Sequence, residues 1–185
     1  MHTADNMLKN GDFEEGPYMF PDLAWGVLVP PMDEDDVSPL PGWMIMSDTK
    51  AVKYLDAAHF AVPHGAYAVE LVAGTEAALV QEVQTKPGRS YKLSFSVGDA
   101  ANGCASTLLV DAYAARGRQP VSYESHGMGG CVRSELEFAA VANLTRVVFQ
   151  SMGHYMKPDG TLCGPVVDDV SLVSLPRHAA RRLLM

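Results

Sequence analysis

The segment Tyr91-Lys92-Leu93-Ser94-Phe95-Ser96-Val97 alternates apolar and polar residues without a break, which puts Tyr91, Leu93, Phe95 and Val97 on one face. A period of two belongs to a half-buried strand and excludes a helix there. Shorter segments of the same character recur at 52–55, 67–72, 78–83, 108–113, 136–138, 147–149 and 166–172, parted by turn residues every 8 to 12 or so positions. Residues 7–11 read as a first strand closed by Gly16-Pro17, for about nine strands in all. This spacing predicts an all-β chain built as a sandwich or barrel. The 16 glycines and 12 prolines supply its turns, and a hydrophobic fraction of 48% against 19% charged is enough for one core. Residues 17–42, with six prolines and the acidic run Asp33-Glu34-Asp35-Asp36, read as a long surface loop.

A formal charge of −8 argues against nucleic acid, whose phosphates are bound by clustered Lys and Arg. No run of 18 or more apolar residues is present, so no helical membrane span is expected, and Met1-His2-Thr3-Ala4-Asp5-Asn6 lacks the pattern of a signal peptide. Cys104, Cys131 and Cys163 allow at most one internal disulfide and leave one thiol over. Joining Cys104 to Cys163 would close a loop of roughly 60 residues, for which chain entropy gives about 4 kcal/mol.

Several strings resemble one family. They are Asn10-Gly11-Asp12-Phe13-Glu14-Glu15-Gly16-Pro17, Leu40-Pro41-Gly42-Trp43, His59-Phe60-Ala61-Val62-Pro63-His64-Gly65, Ala68-Val69-Glu70-Leu71-Val72-Ala73-Gly74, Phe95-Ser96-Val97-Gly98-Asp99-Ala100-Ala101-Asn102-Gly103-Cys104 and Leu162-Cys163-Gly164-Pro165-Val166-Val167-Asp168-Asp169-Val170. Together they look like the plant cell-wall family DUF642 (domain of unknown function 642), in order over about residues 6 to 174. The resemblance implies a jelly-roll β-sandwich of the galactose-binding-like kind over 6–174, similar to the second of the family's two tandem domains. The basic tail over 175–185, with Arg177, Arg181 and Arg182, departs from the family. The resemblance further implies an extracellular, cell-wall address and binding of wall polysaccharide without catalysis. Pectin methylesterase is the implied protein partner. A Cys104–Cys163 bridge is implied as well, with Cys131 left free at a position where the family has no cysteine.

The opening Asn10-Gly11-x-Phe13-Glu14 and the closing Val167-Asp168-Asp169-Val170 also resemble the paired ends of many jelly-roll carbohydrate-binding modules. There Glu14 and Asp168, with backbone carbonyls, would hold a structural calcium ion. Sugar binding needs an aromatic platform and a few polar side chains. Tyr113, Tyr123, His154 and Tyr155 fall near strand ends or loops and are the candidate platform, with Asp99 and Asn102 as candidate hydroxyl partners. Trp43 is expected in the core, and His59 and His64 in turns rather than on a metal. Asn143-Leu144-Thr145 is an N-glycosylation acceptor pattern. No nucleophile elbow, phosphate loop or zinc-protease helix occurs, and Glu70, Glu135, Glu137, Asp168 and Asp169 are scattered carboxylates, so no enzyme is expected.

Overall fold

The computed structural model describes residues 5–17, 27–29, 40–46 and 52–176. Among them are thirteen strands: β1 (Val27–Val29), β2 (Met44–Met46), β3 (Val52–Asp56), β4 (Tyr67–Glu70), β5 (Ala78–Gln84), β6 (Ser90–Gly98), β7 (Ala105–Ala114), β8 (Gly117–His126), β9 (Cys131–Ala139), β10 (Leu144–Ser151), β11 (Tyr155–Met156), β12 (Leu162–Cys163) and β13 (Val166–Ser174). One turn of 3-10 helix, Gly74–Glu76, precedes β5. The strands form a six-stranded sheet in the order β1-β3-β4-β13-β6-β9 and a five-stranded sheet in the order β2-β5-β10-β7-β8, with β11-β12 as a small hairpin. The fold is an antiparallel jelly-roll sandwich.

The alternation in β6 does what its period demands: Tyr91, Leu93, Phe95 and Val97 are all buried in the core cluster. Phe13, Trp43, Phe149 and Phe95 form a chain of aromatic contacts through it, with centroids 5.2, 6.0 and 5.0 Å apart in turn. Trp43 is 1% exposed, and its indole N–H donates to the Asn10 carbonyl at 2.9 Å, so the ring is both buried and satisfied.

Residues 7–11 are not a regular strand, contrary to the expectation. They nevertheless lie along β13, because Met7 N–H donates to Leu172 O and Val170 N–H to Gly11 O. Between those bonds the Asn6 side chain stands in for the ladder, donating to Val170 O and accepting from Leu172 N–H. Gly11 is required here, since a Cβ would come within 2.0 Å of Val170 O. Gln81 of β5 bonds both the N–H and the C=O of Lys9, so the same segment ties one sheet to the other.

Three further expectations need correction. β1 falls inside the span read as a loop, while the acidic run 33–36 lies outside the described residues, as does the tail from 177 on. β8 escaped notice because its inward residues are Val121, Tyr123 and Ser125 and it carries Pro120. It is the edge strand of its sheet, where proline is tolerated. β9 runs Cys131–Ala139 rather than 136–138, because an edge strand with a solvated face reads as mostly polar.

Candidate functional site

Strand β7 places Leu108, Val110, Ala112 and Ala114 in the core, so Leu109, Asp111 and Tyr113 face outward from the five-stranded sheet. Register then sets their neighbours: Tyr113 stands opposite Arg118 on β8 and Val148 on β10, and Asp111 opposite Pro120 and Gln150. The two rows continue through Val80 to Met44 and through Ala78 to Met46. Asp111 Oδ2 accepts from Tyr113 Oη at 3.0 Å, from Arg118 Nε at 2.8 Å and from Arg118 Nη2 at 2.7 Å. The Asp111 side chain is 3% exposed whereas that of Arg118 is 56% exposed, so a buried carboxylate fixes a guanidinium that still faces water. Desolvation, then the bond to Asp111, pushes the Tyr113 hydroxyl up from its ordinary value, and it stays a donor. A half-buried ring beside an exposed, oriented donor on a sheet face suits the apolar side and hydroxyls of a sugar.

Of the residues singled out from sequence, Tyr113 lies on this face. Tyr155 and His154 lie at its end: Tyr155 Oη accepts from Leu109 N–H at 2.8 Å, and His154 Nε2 is 3.4 Å from Thr75 Oγ1. Burial raises the Tyr155 hydroxyl. The other three sit elsewhere and fasten loops. Tyr123 Oη donates to Gly129 O, Asp99 Oδ2 accepts from Ala101 and Gly129 N–H, and Asn102 Nδ2 donates to Glu70 Oε2 at 3.0 Å. Glu70 is fully buried on β4, also accepts Gly164 N–H, and is pushed up chiefly by burial. Asp111, Arg118 and Gln150 were missed. The available signal was an aspartate inside the apolar run Leu108-Leu109-Val110-Asp111-Ala112-Tyr113, two positions from a tyrosine and therefore on its face.

Cys104 and Cys163 form a disulfide, and Cys131 is free and exposed. Asn143 is exposed, with Thr145 of the same pattern buried and 2.8 Å from Thr85 Oγ1. His59 Nδ1 lies 2.7 Å from Asp56 Oδ2 within one turn.

Glu14 and Asp168 grip the same stretch of chain. Glu14 accepts Ala66 and Tyr67 N–H, and Asp168 Oδ2 accepts His64 N–H at 2.8 Å while Oδ1 takes Asp169 N–H. Asp168 is fully buried, and its carboxyl is pushed up to about 8, first by burial, with Asp169 and Glu14 adding repulsion. A buried, like-charge-crowded carboxylate among oxygen donors fits a hard cation in its chemistry. Against that, all four carboxylate oxygens already accept amide hydrogens, and no cluster of three His, Cys, Asp or Glu suited to a metal occurs among the described residues.

The architecture is a galactose-binding-like jelly roll, similar in fold to solved carbohydrate-binding modules. TmCBM61, solved in complex with β-1,4-galactotriose, matches with a TM-score of 0.55 at 19% identity, over 93% of this chain and 100% of its own. The CBM22-1 xylan-binding domain of Paenibacillus barcinonensis Xyn10C matches with a TM-score of 0.51 at 10% identity, over 94% and 97% respectively. Sequence places the chain more narrowly: it belongs to the DUF642 family, described as a protein of unknown function, whose model matches residues 6–173. Two Arabidopsis thaliana relatives are the protein DUF642 L-galactono-1,4-lactone-responsive gene 1, 56% identical over 92% of this chain and 46% of its own length, and the protein TEEBE, 45% identical over 95% and 48%. The chain therefore spans about half the length of these relatives.

Proposed function

We propose that this chain is a non-catalytic module that binds cell-wall polysaccharide, whether pectin, cellulose or hemicellulose, on the outer face of its five-stranded sheet. The observation that carries it is the Tyr113–Asp111–Arg118 group, a half-buried ring and an exposed guanidinium oriented by one buried carboxylate. The solved neighbours described as holding β-1,4-galactotriose or as binding xylan support a neutral polymer as ligand on this fold. Retention of the folded protein on immobilised galactan, xylan, cellulose and pectin tests it. Retention on the neutral polymers galactan, xylan and cellulose that is lost in Tyr113→Ala is expected, and no retention on any polymer would end the idea.

A second role, docking on a pectin methylesterase to modulate it, is favoured by the net charge of −8, which would steer a basic enzyme toward the chain. Calorimetric titration with the enzyme at two salt concentrations tests it, and no heat at either sinks it. The disulfide supports an extracellular, cell-wall location, and the exposed Asn143 supports a glycan there. We infer that calcium would reach Glu14 and Asp168 only by displacing amide hydrogens that their carboxylates now accept, and would then act as a stabiliser and not as a reagent.

A further inference from the structure

At the end of the sandwich where β5 finishes and β6 begins, the chain reverses through Lys86-Pro87-Gly88-Arg89. Arg89 N–H bonds Lys86 O at 3.0 Å and Gly88 has a φ of 84°, so proline and glycine occupy the two central positions of a type II turn. Such a turn brings its first and last residues within about 7 Å of each other, and here both are cations. The turn is anchored on three sides. Gly88 N–H donates to Ala140 O, Ala140 N–H donates to Arg89 O, and Lys86 N–H donates to Tyr91 Oη.

Lys86 and Arg89 line a cavity of about 660 Å³ together with Gln84, Asn143 and Leu144, and no aspartate or glutamate contributes to its wall. In a chain of net charge −8 that is an isolated positive site. Neither cation forms an ion pair among the described residues, and Arg89 Nε is buried with no hydrogen-bond partner. An orphaned guanidinium N–H beside an ammonium calls for an acceptor that carries negative charge. The neutral amides of Gln84 and Asn143 and the half-exposed Leu144 side chain favour a sugar ring around that charge over a compact inorganic anion.

We propose that this pocket binds the carboxylate of a uronic-acid residue in an acidic polysaccharide, at a place distinct from the Tyr113 face. It rests on the polysaccharide role only for the class of ligand. In the bound state the Arg89 guanidinium and Lys86 ammonium donate to the carboxylate, and the amides serve the ring hydroxyls. Asn143 shares the pocket, so a glycan on it and a uronate in it exclude one another.

Calorimetric titration with trigalacturonic acid, on protein produced without N-glycans, tests the proposal. The expected result is binding that weakens with salt. Methyl esterification of the probe should weaken it by at least about tenfold, as should the double variant Lys86→Gln/Arg89→Gln, equivalent to about 1.4 kcal/mol. Arg89→Lys, which keeps the charge but not the planar fork, should fall between. No binding by the parent, equal binding by the folded double variant, indifference to esterification, or displacement by equimolar inorganic phosphate would each overturn it. The two sites fail separately: the double variant should keep its retention on neutral polymers, and Tyr113→Ala should keep its affinity for trigalacturonic acid.

Discussion

The Asn10–Glu14 corner and the outer face of the five-stranded sheet differ in where their polar atoms point. At the corner every named polar group is spent inward. Asn10 bonds Glu15 and Pro41, its carbonyl takes the Trp43 indole, the Phe13 carbonyl takes Tyr54 Oη at 2.6 Å, and Glu14 takes two amides of the 66–67 backbone. On the sheet face Asp111 is spent inward, but it orients an Arg118 that remains more than half exposed. One region consumes its hydrogen-bonding capacity to hold distant stretches of the chain together; the other leaves capacity exposed to solvent.

The contrast is broken most forcefully at Trp43. Trp43→Ala removes the ring between Phe13 and Phe149 and orphans the Asn10 carbonyl, and should cost about 3–5 kcal/mol, read from denaturant unfolding. A loss below about 1 kcal/mol would show that the corner is not the fastening inferred here. The disulfide is next: Cys104→Ser/Cys163→Ser opens a loop with a sequence separation of 59 and should cost roughly 4 kcal/mol at most, since residual structure in the unfolded chain reduces the entropic gain.

These effects explain which parts of the molecule were legible. The period-two strands announced themselves because each buries one face only, as Tyr91 to Val97 does. The Asn10-Gly11-x-Phe13-Glu14 string was conspicuous because tight chain crossings restrict residue type: Gly11 admits no side chain against Val170 O, and Asn10 and Phe13 hold positive φ angles of 49° and 56°. The edge strands β8 and β9 were obscure because solvated faces impose no pattern. The Asp111–Arg118 pair was obscure for another reason, since its members are seven residues apart and meet only through β7–β8 register. Tyr123, Asp99 and Asn102 look like ligand residues in sequence because loop fastening and sugar binding draw on the same side chains.

A pH titration sharpens the comparison at the buried carboxylates. The Asp168 carboxyl is raised to about 8 in the folded chain, far above its unfolded value near 3.9. The folded state therefore binds a proton that the unfolded state releases between those values, and its contribution to stability is full below about pH 4 and lost as pH rises through about 8. Glu70, raised chiefly by burial, acts in the same direction. Melting temperature should fall over that window, less steeply in Asp168→Asn than in the parent, and millimolar calcium should flatten the parent's decline by favouring the ionised form. Identical pH dependence in parent and Asp168→Asn would remove Asp168 from the account.

The smallest expected change in stability is the most informative, because it separates holding from binding. Tyr113 lies on an exposed face with no core contact of its own, and its hydroxyl serves a carboxylate that Arg118 also satisfies. Tyr113→Ala should leave the unfolding midpoint essentially unmoved while weakening retention on a neutral wall polymer by at least about tenfold, the size of effect expected when a central aromatic anchor is removed. Arg118→Gln should do the same more mildly, since the ring remains. If instead Tyr113→Ala unfolds as readily as Trp43→Ala, the sheet face is a second fastening like the corner. Polysaccharide would then have to be sought on other parts of the surface.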